Sequence, residues 1–155
     1  MRDYEKWVRE CYSPIIDKYK YQFMKKDSDE FFLIGNGFAL YIFIDRCDRR
    51  TDVWFVSIDK NGSVKTHNLM EVMKERFDDY DSSCYGNPES PDEQVLGYMR
   101  FDVSGLSRHC QDILSGDPLW VNKIIPEGNY NRHVAHFLAP FFRKQGFTVN
   151  TAEEN

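Results

Sequence analysis

The sequence predicts an α+β fold, in which an N-terminal helix precedes an antiparallel β-meander of four to five strands and C-terminal helices pack on the sheet. Three observations support this. Apolar residues recur at helical spacing near the N-terminus, short β-rich apolar runs separated by turn residues follow, and helical spacing with capping signals returns in the second half. With 155 residues, the chain fits one domain over residues 1–150 and a polar tail over 151–155.

The first helix is indicated by apolar side chains three and four positions apart, which share one face. They are Tyr4, Trp7, Val8, Cys11, Tyr12, Ile15, Ile16 and Tyr19. Pro14 lies inside this pattern, and because the apolar phase continues past it, we expect a kink rather than two separate helices.

The predicted meander begins with "YKYQFMKK" and continues through "FFLI", "ALYIFI", "VWFVSID" and "SVKTHNL". Asn36-Gly37 joins two of these runs and predicts a type I′ hairpin, in which both central residues have positive φ. "DRCDRRTD" and "DKNG" are the next turns. Several runs are continuously apolar, so we expect central strands that are covered on both faces or have one face hidden in an oligomer.

The second half predicts helices separated by loops. "NLMEVMKERF" is one helix, residues 78–90 are a surface loop, and "SPDE" is a capping box that starts a short helix containing Gly97. The next helix carries Leu106, Cys110, Ile113 and Leu114 and ends at Gly116, with Pro118 just beyond.

A last helix is predicted from about Asn131 to Gln145, with Pro140 as a kink and Gly146 as the stop. Its apolar face is expected to comprise Val134, Phe137, Leu138 and Phe141. "FTVN" after it is a candidate edge strand.

Motifs for catalysis or for cofactors are absent from the sequence. The four cysteines form no CxxC pair, and without a signal peptide we expect reduced thiols in a cytoplasmic protein. His133 and His136 are three residues apart, whereas zinc-binding histidines on one helix are usually four apart. Cys110 and His109 are adjacent on a helix, so their side chains diverge by roughly 100°. We therefore predict no metal, no cofactor and no enzymatic activity.

Negative charge is concentrated in one segment. The net charge is −5, yet Phe77–Tyr98 contains six acids and no Lys or Arg, while the rest of the chain holds 19 acidic and 20 basic residues. Acids steer a cationic partner and tyrosines anchor it, so this segment predicts a protein contact surface rather than a nucleic-acid surface. The expected contact residues are Asp78, Asp79, Tyr80, Asp81, Tyr85, Glu89, Asp92 and Glu93.

A helix that ends in "ILSGD" and is followed by Trp120 resembles the C-terminal half of many small bacterial immunity proteins. These are antidotes of polymorphic and contact-dependent growth-inhibition toxins, and their general layout is also similar. The resemblance implies a stoichiometric inhibitor that binds a cognate toxin domain, often a basic nuclease, and blocks its active site or substrate path. That partner agrees in sign with the acidic segment.

Two alternatives remain open. One is a small enzyme with a pocket between the sheet and the last helix, into which Arg132, His133 and His136 would point. The other is a structural subunit, for instance of a phage or mobile element, whose meander buries an apolar face in a homodimer.

Overall fold

A computed structural model describes residues 3–117, 119–120 and 128–151, and all structural statements refer to these residues. The strands are β1 (Gln22–Asp27), β2 (Glu30–Ile34), β3 (Phe38–Asp45), β4 (Arg50–Ile58) and β5 (Val64–Asn68). The helices are α1 (Glu5–Tyr19), α2 (Met70–Arg76), α3 (Asp79–Ser83), α4 (Pro91–His109), α5 (Gln111–Leu114) and α6 (Arg132–Lys144). The predicted α+β class, with a helix, a meander and then further helices, is confirmed.

The five strands form one antiparallel sheet in the order β1-β2-β3-β4-β5. The hairpin at Asn36-Gly37 is present, since Ile34 pairs with Ala39 and the Gly35 amide donates to the Phe38 carbonyl at 2.9 Å. The predicted type I′ turn is wrong, because only Gly37 of the two central residues has positive φ, at 78°. One left-handed residue followed directly by β3 is sufficient to reverse the chain.

Both faces of the sheet are covered, which explains the continuous apolar runs. On one face Phe31, Leu40 and Phe55 pack with α1, α4 and α5, and on the other Phe32 and Val56 pack with α6. The expectation of doubly covered central strands is therefore confirmed within this single chain. No homodimer is required to account for the pattern.

The N-terminal helix is continuous through Pro14, as the uninterrupted apolar phase predicted. Its buried residues include Val8, Tyr12 and Ile15. The chain leaves α1 through Lys20, which has a left-handed φ of 60°.

The largest difference from prediction is α4, which is one helix of 19 residues rather than a short helix followed by another. Ser90 caps it by accepting from the Glu93 amide, as the "SPDE" pattern predicted. The two glycines inside it are not breaks but places of close approach. A Cβ on Gly97 would lie 2.7 Å from the Tyr85 carbonyl oxygen, and one on Gly105 would lie 2.1 Å from the Phe77 ring.

The remaining C-terminal elements agree in part with prediction. Gly116, with φ of 78°, ends the segment that includes α5, while Pro118 lies outside the described residues. Asn131 caps α6 by accepting from the Val134 amide. Phe142, absent from the predicted apolar face, is fully buried.

The predicted edge strand after α6 is not formed. Residues 147–150 have no strand geometry, although the Asn150 amide donates to the Gly62 carbonyl at 2.9 Å. Of the polar tail, only residue 151 is described. Within the described part of the chain, no helix is both long and apolar enough to cross a membrane.

Candidate protein-docking face

The segment predicted as a loop, residues 78–90, contains a short helix instead. The Asp78 side chain accepts from the Asp81 amide while the Asp81 side chain accepts from the Asp78 amide, which is a reciprocal capping box for α3. The loop prediction was wrong because the "DDYD" pattern supplies both partners of such a box. This turn places α3 against α4, and we call the surface formed by α3, residues 84–90 and the first turn of α4 the acidic face.

Asp81 is not available to a partner, because it is fully buried. One of its oxygens accepts from the Ser104 hydroxyl at 2.6 Å and from the Arg108 guanidinium at 2.7 Å. Arg108 also donates to both oxygens of Asp78, at 2.8 and 3.1 Å. We call Asp78, Asp81, Arg108 and His109 the α3 latch, since these four side chains tie the short helix to the end of α4.

The latch holds both carboxylates in their charged form. Hydrogen bonds from Arg108 and from the Asp81 amide hold the pKa of Asp78 far below its ordinary value. Burial alone would raise the pKa of Asp81, but hydrogen bonds from Ser104, the Asp78 amide and Arg108 outweigh it and lower that pKa. Two of the six acids in the segment are thus committed to internal structure.

The His109 ring also lies close to both carboxylates of the latch. His109 Nε2 lies 3.2 Å from a carboxylate oxygen of Asp78 and 3.1 Å from one of Asp81, and these three atoms are close enough to hold a metal ion. Arg108 donates to both carboxylates and therefore already supplies a positive charge at this point. Asp78, Asp81 and Arg108 form an ion-pair network, and His109 Nε2 lies beside it as a buried nitrogen with no hydrogen-bond partner among the described residues.

Four members of the predicted contact set lie on the outside of the acidic face. Asp79, Tyr80, Glu89 and Glu93 are exposed, and none of the three acids has an ion pair with another described residue. Tyr80 is 61% exposed, and the Arg108 guanidinium lies 4.6 Å from its ring centroid. The latch therefore also positions the one large exposed ring of this face.

The two other predicted residues, Tyr85 and Asp92, are partly buried. Tyr85 packs edge-on against Tyr98 with ring centroids 5.1 Å apart, and both line a shallow groove of about 300 Å³ together with Ser82 and Phe101. Asp92 accepts a hydrogen bond of 2.5 Å from the Tyr4 hydroxyl. These residues border the exposed acids and give the face an aromatic groove.

The histidines proposed for an enzymatic pocket do not form one. Arg132, His133 and His136 are exposed on α6, and a ring nitrogen of His136 lies 3.0 Å from the Thr151 carbonyl oxygen. A pocket of about 400 Å³ does lie between the sheet and the start of α6, but other residues line it, among them Tyr41 and Trp54. The expectation that those three side chains point into this cavity is wrong.

The contacts of Arg108, His109 and Ser104 with the acidic segment were not predicted from the sequence. They lie 23 to 31 residues from the carboxylates that they contact. The only signal was the helical phase of α4, which the prediction of a short helix followed by a second helix concealed. Comparisons with models of known families, with curated proteins and with solved structures return no match for this chain.

Proposed function

We propose that this protein is a stoichiometric binding protein that neutralises a cationic protein domain, of the kind found in secreted bacterial toxins, by docking through the acidic face. The observation that carries the proposal is the combination on one surface of an exposed tyrosine with acids that no described cation neutralises. The resemblance of the "ILSGD" segment to immunity proteins agrees with it.

The uncompensated negative charge of the acidic face favours a positively charged partner. Asp79, Glu89 and Glu93 stand free of ion pairs within the described chain, while Asp78 and Asp81 are compensated by the latch. The remaining field is negative, so it attracts a positively charged surface and repels nucleic acid. A nuclease domain presents such a positive surface, because it must bind phosphates.

The rings of the face supply the contact energy. Tyr80 stands out from α3, and Tyr85, Tyr98 and Phe101 line a separate aromatic groove with Ser82 of the same helix. Aromatic side chains in a partly apolar surface are the residues that most often dominate binding energy, while surrounding charges set the rate of encounter. The acidic face has both components.

The α3 latch limits which substitutions can test the acidic face. Substituting Asp78 or Asp81 would break the capping box and the contacts of Arg108, so a loss of binding would report damage to α3. The variant that reverses the exposed charge is Asp79→Lys/Glu89→Lys/Glu93→Lys, and its free energy of unfolding is measured first, because the Ser90 hydroxyl donates to the Glu93 carboxylate at the start of α4. Its matched control reverses three exposed acids on other elements that have no ion pair with another described residue, Glu10, Asp17 and Glu75.

The experiment takes the genes on either side of the one for this protein and co-expresses each secreted C-terminal domain that they encode with this protein in a bacterial host. We expect the wild-type chain and the control variant to restore growth and to co-purify with the toxin domain at one to one. The surface variant is expected to restore growth only at a higher expression level. Full protection by the surface variant would show that docking occurs elsewhere, and failure of the wild-type chain to protect would reject the function.

A further inference from the structure

A second cavity, which we call the β4 pocket, opens between the start of β4, α2 and α4. Its volume is about 220 Å³, and its walls are mainly apolar, with contributions from Val53, Met73 and Phe101. Two buried polar residues, Asp102 and Thr51, also line it. The pocket thus has mainly apolar walls and one buried carboxyl group.

Asp102 is a buried acid with a single hydrogen bond among the described residues. It is 2% exposed, and the Thr51 hydroxyl donates a hydrogen bond to one of its oxygens. No described residue forms a hydrogen bond or an ion pair with the other oxygen, although a buried acid ordinarily has a cationic partner. A carboxyl that serves only to tie α4 to β4 could be replaced by a neutral amide, so the acid itself points to a cationic ligand.

The charged and titratable groups around Asp102 come from four elements. They are Arg50 and Asp52 of β4, Lys74 of α2, Tyr98 of α4, and Tyr12 of α1, whose phenol pKa the Asp102 charge raises further after burial. Arg50 is held by Asp52 at 3.2 Å and by Asp48 at 3.7 Å, so its charge is compensated at the pocket mouth. Lys74 is exposed. None of the described cations forms an ion pair with Asp102.

We propose that the β4 pocket receives a lysine side chain of the protein partner, whose ammonium group pairs with Asp102. This inference rests on the proposed function, because the lysine belongs to the protein partner proposed there. The β4 pocket and the groove of the acidic face share Tyr98 and Phe101, so they form one continuous surface. A partner docked on the acidic face therefore lies within reach of the pocket.

Lysine fits this pocket better than arginine does. A slender aliphatic stem matches the apolar walls, and aromatic rings such as Phe101 favour a cation beside them. Only one carboxyl oxygen is unpaired, which suits a compact ammonium group. The five donors of a guanidinium would be left largely unsatisfied against Val53 and Met73.

Binding has to release a proton. Burial raises the pKa of Asp102 well above its ordinary value, so the empty pocket holds a neutral carboxylic acid at every pH below that raised pKa. When an ammonium group enters, the carboxyl loses its proton to the solvent and the charged pair forms. Affinity for an ammonium ligand should therefore rise about tenfold for each pH unit while the empty pocket is protonated.

The test uses n-butylammonium, which mimics the lysine side chain, and 1-butanol, a neutral molecule of similar shape. Both are titrated into the full chain over about pH 5 to 8, where an alkylammonium stays protonated, and backbone amide shifts of residues 50–53 and 98–102 report binding. We expect n-butylammonium to bind more tightly than 1-butanol and its affinity to increase with pH. Asp102→Asn should weaken it by about tenfold or more and remove the pH dependence.

Asp52→Asn is the control, because it removes a carboxyl at the pocket mouth and leaves Asp102 in place. Equal loss in both variants, equal binding of 1-butanol, or unchanged binding by Asp102→Asn would overturn the proposal. If Asp102→Asn does not fold, the comparison of the two probes across pH in the wild-type chain decides it. Because no partner is present, failure here leaves the growth-protection experiment as a separate test of the proposed function.

Discussion

Replacing Asp102 by asparagine should flatten the pH dependence of this protein's stability. The side chain is 2% exposed, and burial raises its pKa well above that of an aspartate in an unfolded chain. Between those two pKa values the folded state keeps a proton that the unfolded state has lost. The free energy of unfolding therefore falls as pH rises through that window, by about 1.4 kcal/mol per pH unit from this group alone.

The slope follows from one proton, and it applies only while the pH lies below the raised pKa of Asp102 in the folded protein. Asparagine has nearly the same shape and can keep the hydrogen bond with Thr51, so it removes the titration with little change in packing. Urea unfolding of the two proteins at about pH 5, 6 and 7 gives the difference in their free energies of unfolding. We expect the asparagine variant to gain on the wild type as the pH rises, by up to about 1.4 kcal/mol per pH unit.

Thr51→Val is the control, because it removes the hydrogen bond but retains the acid. It should lower stability at every pH and keep the slope of the wild type. Parallel stability curves for the wild type and Asp102→Asn would refute the reasoning, since they would mean that Asp102 is charged in the folded protein as it is in the unfolded one.

Three further outcomes follow from the fold. Gly105→Ala should lower the free energy of unfolding by about 1–2 kcal/mol in urea titrations, because a Cβ 2.1 Å from the Phe77 ring costs more than the gain in helix propensity; higher stability would mean that the ring moves freely. Ser90→Ala should cost about 1 kcal/mol through loss of the α4 cap, and unchanged thermal unfolding would contradict that role. Burial raises the pKa of the Cys110 thiol to about 11. A disulfide reagent at about pH 8 should therefore modify exposed Cys47 first and reach Cys110 only on denaturation. Rapid labelling of both thiols would indicate an open core.

The sheet could be predicted from the sequence because its turns are local. Asn36-Gly37 and the "DKNG" turn fix where strands end, and β-rich runs between them leave little choice of order. The continuous apolar character of β2 to β4 also indicated covered faces correctly. Only the type of the first turn was wrong, since composition does not determine which of two residues takes positive φ.

The helical half was harder because its decisive contacts are long-range. Gly97 and Gly105 look like helix breaks in isolation, but they admit Tyr85 and Phe77 against the axis of α4. Helix propensity is a weak signal, and tertiary packing overrides it here. The error shortened α4 and removed its C-terminal end from the predicted site.

The same error affected the predicted contact surface. Charge counting identified six acids without their partners, and the structure shows that Arg108 binds Asp78 and Asp81 from the far end of α4. Asp79, Glu89 and Glu93 are exposed, and their part in a contact surface stays a prediction. The β4 pocket had no local signal, because Thr51 and Asp102 are 51 residues apart.

The association rate of the purified toxin domain, measured against salt concentration, tests the proposed docking most directly. Steering by Asp79, Glu89 and Glu93 predicts that the wild-type rate falls at least about tenfold from low to high salt, whereas the lysine variant at these positions starts slow and varies little. Identical rates and identical salt slopes for the two proteins would contradict the assignment of this surface.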